Sequence, residues 1–219
     1  MQFDISGNPD YGDLTIVLDA GETVRCESGA MSRMSTGLNV QGRLTGGMVA
    51  ALARKVLGGE SLFLAEYTAS GPSFVSLSPS FPGTVLRRPT EGEPFYLTRG
   101  SFLACTPEVR LSTRFGGLRS LFSGEGAFVI QCSGRGELFF NAYGAVIEKR
   151  IDGSFTVDTG HVVGWEPSLD YTITGMGGLK QTLFSGEGLV MKFSGAGTVY
   201  LQSRHLGGLA GWLRPYLSA

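Results

Sequence analysis

The sequence predicts an all-β protein made of three related antiparallel units. A glycine-rich turn leads into apolar, strand-forming residues three times, at residues 58–63, 123–128 and 185–190. The glutamates of these turns, Glu60, Glu125 and Glu187, are separated by 65 and then 62 residues. Short apolar runs bounded by glycine fill the intervals, as is typical of strands. We therefore expect three related antiparallel β units.

The unit boundaries follow from the repeat. Residues 1–90 are predicted to form the first β unit, residues 91–151 the second and residues 152–219 the third. No linker rich in proline, serine or charge separates them, so the units should pack as one compact body. The chain contains 34 glycines but is 42% hydrophobic and 11% aromatic. This composition favours a packed core over a low-complexity chain.

Short strands are predicted in chain order between glycine and proline turns. The first unit should contain strands near residues 14–18, 24–27, 30–34, 60–68, 74–78 and 84–88. Pro89 is expected to confine pairing to a sheet edge or a turn. In the later units, the runs 128–130, 138–140 and 190–193 are bounded by glycine and predict strands buried between sheets or units.

Two short helices interrupt the β pattern. Apolar residues recur at helical spacing near 48–57 and again near 206–214, where Pro215 is expected to end the helix. Each helix has an apolar stripe that needs a covering surface. We predict that these stripes contact another subunit or a protein partner, through Met48, Leu52, Val56, Leu209, Trp212 and Leu213.

Charge gives no clear signal for nucleic acid. The chain has 18 basic and 19 acidic residues, a net charge of −1, so no overall field attracts a polyanion. The nearest approach to a basic cluster with an aromatic residue consists of Arg110, Arg114, Phe115, Arg119, Lys149 and Arg150. A solvated strand face is the favoured interpretation of this set.

The cysteines and the amino end indicate a cytoplasmic protein. Cys26, Cys105 and Cys132 are odd in number and lack CxxC spacing, so we expect buried, reduced thiols. The first residues lack the basic start and apolar core of a signal peptide, and no stretch is long enough to cross a bilayer as a helix.

No motif for catalysis is recognisable. His161 and His205 are the two histidines of the chain, and a structural role is favoured for both. No zinc-ligand spacing, phosphate-binding loop or catalytic triad pattern is present. We therefore predict a non-enzymatic protein with no cofactor and no metal site.

The strongest candidates for functional carboxylates are Glu60, Glu125 and Glu187, because all three copies of the repeat contain one. Each is expected to cap its turn or to pair with a basic residue of its own unit, Lys55, Arg119 or Lys180. The alternative is a ring of three equivalent carboxylates around a channel, which could bind cations. We retain the three residues as candidate ligand-binding positions.

At the glycine-rich repeats the chain resembles a known family. Residues 27–31, 46–63, the LFSGEG copies and residues 209–217 are similar to prokaryotic proteins of the altered-inheritance-of-mitochondria type. The fold of that family resembles the tryptophan RNA-binding attenuation protein. The resemblance implies triplicated antiparallel β-sandwich (double-stranded β-helix-like) units and assembly into symmetric rings, with trimers favoured. It implies no catalytic residues and no agreed ligand.

These observations lead to two main functional hypotheses, and an enzyme with a polar cleft around Glu125, Glu187 or His161 is the third. The first is a non-enzymatic homo-oligomeric scaffold or binding protein, since the helical stripes need partners and catalytic motifs are missing. The alternative is a ring that binds RNA or a small ligand in pockets between β units, near Phe115, Phe122 and Phe184.

Overall fold

The computed structural model describes residues 1–44, 63–115, 128–175 and 189–217. Alternating burial marks the first strands, as in β2, whose second, fourth and sixth residues are fully buried. The strands of the first half are β1 (Gln2–Ser6), β2 (Asp13–Leu18), β3 (Thr23–Glu27), β4 (Met31–Met34), β5 (Leu38–Leu44), β6 (Phe63–Ala69), β7 (Ser73–Leu77) and β8 (Gly83–Thr98).

The second half continues with strands and ends in a helix. The strands are β9 (Phe102–Cys105), β10 (Arg110–Phe115), β11 (Phe128–Tyr143), β12 (Val146–Asp158), β13 (Val162–Trp165), β14 (Leu169–Gly175) and β15 (Leu189–Gln202). A 3-10 turn, Thr159–His161, joins β12 to β13, and helix α1 covers Leu206–Leu217. The protein is thus predominantly β, as predicted.

The strands of the described ranges form two antiparallel sheets. One has four strands in the order β1-β2-β7-β4, and the other runs β12-β15-β13-β8-β11-β9-β3-β6-β5. Strand β10 also pairs with β11, and β14 also pairs with β15. Antiparallel pairing was predicted from the alternating pattern, but the strand order was not.

Several strands are longer than the sequence predicts. The runs 128–130 and 138–140 belong to one strand, β11, which pairs with β8 from Val129 to Tyr143 across a bulge between Cys132 and Gly134. Pro89 lies inside β8 opposite Glu137. In the described sheet, β8 pairs with β11 alone at this point, so Pro89 occupies a local sheet edge, as predicted.

The predicted unit boundaries fall inside continuous strands. The boundary after residue 90 lies within β8, and the boundary after residue 151 lies within β12. Successive units would therefore be joined by shared strands and not by loops. The division into three units stays a prediction.

Helix α1 confirms the predicted carboxyl-terminal helix and corrects its end. The helix continues past Arg214 to Leu217 and includes Pro215. A proline there removes the N–H that would bond to the Gly211 carbonyl, which is one hydrogen bond of the last turn. The predicted helix at 48–57 lies outside the described residues.

Among the residues that the structure describes, the buried ones form three hydrophobic clusters along the sheets. The first joins β2 and β7 of the small sheet to the large sheet, and the third surrounds Trp165 and Phe193. Cys26, Cys105 and Cys132 are buried free thiols, as predicted. Burial raises the pKa of all three, that of Cys105 to about 12, which keeps the thiols protonated and unreactive.

Candidate ligand cavity and exposed helix

The predicted site residues divide between described and undescribed parts of the chain. Glu60, Glu125 and Glu187 lie outside the described residues, as do Met48, Leu52 and Val56. The carboxylate ring and the first helical stripe therefore stay predictions. The second stripe, with Leu209, Trp212 and Leu213, lies on α1.

A cavity of about 560 Å³ lies where the β8–β9 turn, β11, β15, the 3-10 turn and the start of α1 meet. Its apolar lining includes Val129, Ile173, Leu189 and Met191, and its polar lining includes Thr98, Ser101, Asn141, Gln202 and His205. Clefts of this size that combine an apolar wall with a few polar groups are the usual form of small-molecule sites.

Gln202 fixes one polar wall of this cavity. Its Nε2 donates to the Gly160 carbonyl at 2.8 Å, and its Oε1 accepts from the Tyr143 N–H at 2.9 Å. The Gln202 carbonyl accepts from His161 Nδ1 at 2.7 Å. Because a carbonyl can only accept, His161 carries a proton on Nδ1.

His205 lies at the start of α1 and caps it. Its Nδ1 accepts from the Gly208 N–H at 3.2 Å, so one of the unpaired N–H groups of the helix start is satisfied. The His161 and His205 rings lie 4.7 Å apart. Both rings hold backbone groups, as a structural role requires. Their proximity could not be predicted from the sequence, because it depends on the pairing of β15 with β12 and β13.

Asn141 is a second polar residue that sequence reasoning missed. It is 7% exposed, and its Nδ2 donates to the Gly100 carbonyl at 3.4 Å. Its Oδ1 is buried and accepts no hydrogen bond from the part of the chain that the structure describes. The available signal was a single polar residue inside the apolar run from Leu138 to Ala142.

Arg99, which also lines the cavity, lies near Glu27 of β3. Burial raises the pKa of Glu27 to about 7, and the charge of Arg99 acts in the opposite direction. The positive charge of Arg99 therefore lies near the partly desolvated carboxyl group of Glu27. Glu27 begins the 27–31 segment on which the family resemblance was based.

A second, open groove of about 660 Å³ contains paired charges. Arg88 lies over the Phe95 ring at 4.5 Å, donates to the Tyr200 hydroxyl at 3.3 Å and lies 3.7 Å from Glu166. Since these contacts occupy the guanidinium, we assign Arg88 a structural role.

Beside this groove, Arg87 and Glu137 form a bidentate pair, with both N–O distances 2.8 Å. The hydrogen bond from Arg87 holds the pKa of Glu137 below its usual range. The pair therefore stabilises the folded state above the unfolded pKa of Glu, and this stabilisation is lost as pH falls through the lowered pKa.

We expect Glu137→Gln to lower the free energy of unfolding at pH 7 by less than about 1 kcal/mol, because Arg87 is half exposed. Urea unfolding of wild type and variant at pH 7 and at acidic pH measures this difference. It should shrink as pH falls below the usual pKa of Glu. A difference that is constant with pH would contradict the ion-pair account.

Helix α1 exposes most of its apolar side chains. Leu206 is 53% exposed, Trp212 64%, Tyr216 72% and Leu217 75%, and no residue of the helix is buried. The Trp212 and Tyr216 rings lie 5.5 Å apart. Exposed apolar surface concentrated on one element is typical of a contact site. No helix in the described ranges is both long and apolar enough to cross a membrane.

The fold and these two features define an all-β protein of antiparallel sheets with a closing amphipathic helix. The chain belongs to the family described as mitochondrial biogenesis AIM24, which it matches over residues 3–204. This match confirms the predicted family type. The likeness to the fold of the tryptophan RNA-binding attenuation protein stays a prediction.

Two streptococcal proteins resemble the chain over almost its full length. An uncharacterized protein of Streptococcus pyogenes serotype M6 is 31% identical over 226 residues, covering 99% of this chain and 91% of the relative. A crystal structure of a Streptococcus pyogenes protein is 30% identical, with a TM-score of 0.86 and 99% of each chain covered. These similarities support the fold and the family.

Proposed function

We propose that the protein is a non-enzymatic, homo-oligomeric binding protein whose copies associate through helix α1. The observation that carries this proposal is the exposure of Trp212, Tyr216 and Leu217 on one short helix. Covering such side chains contributes about 25 cal/mol per Å² of apolar surface to an assembly, before the entropy cost of association is subtracted. A second copy of the chain is the proposed partner, because the family resemblance implies symmetric rings. We favour a trimer.

Further features support a binding role in place of catalysis. Both histidines hold backbone groups through Nδ1, and the three cysteines are buried and unreactive. Free, unpaired thiols also favour a reducing compartment, so we propose that the protein works in the cytoplasm.

Paired glycines support the proposed repeat in the second and third units. Gly92 faces Gly134 between β8 and β11, and Gly153 faces Gly195 between β12 and β15. All four have positive φ. We propose that three related β-sandwich units arose by repetition, with these two as the most similar.

The experiment that tests self-association is native mass spectrometry of the wild type and of the double variant Trp212→Ser, Leu217→Ser. We expect a closed oligomer for the wild type and a monomer for the variant, since two exposed apolar side chains are removed from the contact. Ile147→Ser is the matched control, because Ile147 is an exposed apolar residue of β12.

The control should keep the wild-type mass. A monomeric wild type would overturn the proposal, and so would a double variant that stays assembled. If Ile147→Ser alone dissociated the oligomer, the subunit contact would lie on β12 and not on α1.

A further inference from the structure

Three turn segments of the described chain share one arrangement of strands. In each, a strand ends just before a glycine and the next strand starts just after it: β3 and β4 flank Gly29, β8 and β9 flank Gly100, and β12 and β13 flank Gly160. The strand after the glycine pairs with a later strand, β4 with β7, β9 with β11 and β13 with β15. Each of these pairings has a register shift between the second and fourth residues after the glycine. The three turn segments are therefore equivalent position by position.

Neighbouring turn segments also pair with each other, β3 with β9 and β8 with β13. In both contacts, the fourth residue before one glycine lies opposite the fifth residue after the next glycine. The pairs are Arg25 with Cys105 and Cys26 with Ala104 in the first contact, and Tyr96 with Trp165 and Leu97 with Gly164 in the second. In the described sheets, β4 pairs with β7 alone and β12 with β15 alone. The first turn segment thus has an open edge on β4, and the last has an open edge on β12.

The burial of β4 differs from that of its equivalents, β9 and β13. All four residues of β9 and of β13 are buried, whereas all four residues of β4 are exposed. Met31 and Met34, which are 39% and 42% exposed, occupy the positions at which β9 has the buried residues Phe102 and Cys105. Strand β4 therefore has apolar residues at positions that a neighbouring turn segment covers elsewhere in the chain.

Helix α1 starts at the point where the earlier parts of the chain begin a new strand. Leu77, Phe140 and Leu201 are equivalent in the three pairings. A new strand, β8 or β12, starts six residues after the first two, and α1 starts five residues after Leu201. The His205 ring that caps α1 packs on the glycine after β12, since a Cβ at Gly160 would lie 2.9 Å from His205 Nδ1. The exposed helix and the open edge of β12 therefore lie next to each other.

We propose that a second copy of the chain covers these edges, so that β12 of one copy pairs with β4 of the next copy in the register of the internal contacts. This register places Thr156 opposite Met34 and Val157 opposite Arg33. The charged residues of β4 and of residues 154–158 are Arg33 and Asp158, which have opposite signs, so no like charges meet. Because each copy uses two different strands, the contact is head-to-tail, the kind that generates closed rings.

The strand pairing rests on the self-association proposed above, because pairing at two positions buries far less surface than a stable interface needs. Helix α1 supplies most of the contact area, and the strand pairing fixes how the copies are oriented. Ile147 is also on β12 but lies nine residues before Thr156, outside the paired positions. Replacing Ile147 is therefore still expected to leave the assembly intact.

The test is disulfide cross-linking in a mixture of two full-length variants, Met34→Cys and Thr156→Cys. Both replaced residues are exposed. Residues directly opposite on antiparallel strands have Cα atoms about 4.5–5.5 Å apart, which is within the range of a disulfide. Under mild oxidation, non-reducing electrophoresis should therefore show a linked dimer in the mixture. The three native cysteines are buried, so the wild type should stay unlinked.

A mixture of Met34→Cys with Ile147→Cys is the matched control, because Ile147 is an exposed residue of the same strand. It should give at least about tenfold less dimer, since its cysteines are too far apart for a disulfide. The double variant Met34→Cys, Thr156→Cys should link every copy of the ring, and native mass spectrometry of the oxidised protein counts them.

The outcomes separate this proposal from association through α1. An oligomeric wild type with no more linked dimer than the control would overturn the strand pairing and leave the contact through α1 in place. A disulfide within single copies of the double variant would also overturn it, because β4 and β12 would then meet in one chain. Linked dimer together with an α1 variant that stays assembled would support the strand pairing and overturn the role of α1. A monomeric wild type without linked dimer would overturn both.

Discussion

Replacing Trp165 with alanine is expected to lower the free energy of unfolding by about 3–5 kcal/mol. Trp165 is fully buried on β13, and its ring lies 4.9 Å from Tyr171 and 5.6 Å from both Tyr96 and Phe193. Removing the indole leaves a large cavity beside β13, which pairs with β15 on one side and with β8 on the other. Urea unfolding followed by circular dichroism measures the loss.

Trp165→Phe distinguishes the contribution of aromatic packing to stability from the cost of burying the indole N–H. The Trp165 Nε1–H is buried without a partner among the described residues, so phenylalanine removes an unsatisfied donor while keeping an aromatic ring. We expect a loss smaller than that of alanine by at least about 1 kcal/mol. Tyr11→Ala, at a side chain 75% exposed, should change stability by less than about 0.5 kcal/mol. Equal losses for Trp165→Phe and Trp165→Ala would contradict this account.

Local patterns in the sequence predicted the elements but not their connections. The alternation in residues 14–18 and 24–27 identified β2 and β3, and helical spacing identified α1. Burial of one face of a strand or helix produces a periodic pattern of apolar residues, which can be seen in the sequence. The pairing of β3 with β9, however, joins Cys26 to Ala104. Such long-range pairing depends on the whole sheet, and no single stretch of sequence contains it.

The candidate cavity also depends on contacts between residues that are far apart in the chain, which no short stretch of sequence reveals. Asn141, His205 and Ser101 are separated by up to about a hundred residues and meet only because β9, β11 and β15 belong to one sheet. The exposed helix, in contrast, could be predicted because an apolar stripe is a local feature. The repeated glutamates drew attention by recurrence, whereas the Asn141 acceptor became visible only through its unmatched hydrogen bond.

Gly134→Ala is expected to lower the free energy of unfolding by about 3 kcal/mol or more, and Gly92→Ala by about 1–2 kcal/mol. The two glycines face each other across β8 and β11, with φ of 106° and 114°. A side chain at either position meets the cost of a left-handed backbone. At Gly134, a Cβ would also overlap the Glu108 carbonyl oxygen, whereas nothing lies within 4 Å of a Cβ at Gly92.

The turn that contains Glu108 cannot easily move away. The Thr106 N–H donates to the Glu137 carbonyl at 3.0 Å, the Glu137 N–H donates to Thr106 Oγ1 at 3.1 Å, and the Val109 N–H donates to the Thr106 carbonyl at 3.1 Å. Relieving the overlap would break part of this set. Both variants share the cost of a positive φ. The difference between their free energies of unfolding, measured in urea, therefore reports only the overlap of the new Cβ with the Glu108 carbonyl oxygen. Equal losses of stability would show that the turn moves to relieve this overlap.

The third unit offers an independent repetition of this comparison. Gly153 and Gly195 face each other across β12 and β15 with φ of 110° and 113°. A Cβ at Gly195 would lie 2.9 Å from the Ser168 carbonyl oxygen, and one at Gly153 would meet nothing within 4 Å. The same asymmetry should appear, with Gly195→Ala more destabilising than Gly153→Ala. If the asymmetry is present in both units, the close turn is a shared feature of the repeat. An asymmetry confined to Gly134 would show that Gly134 and Gly195 have different structural roles.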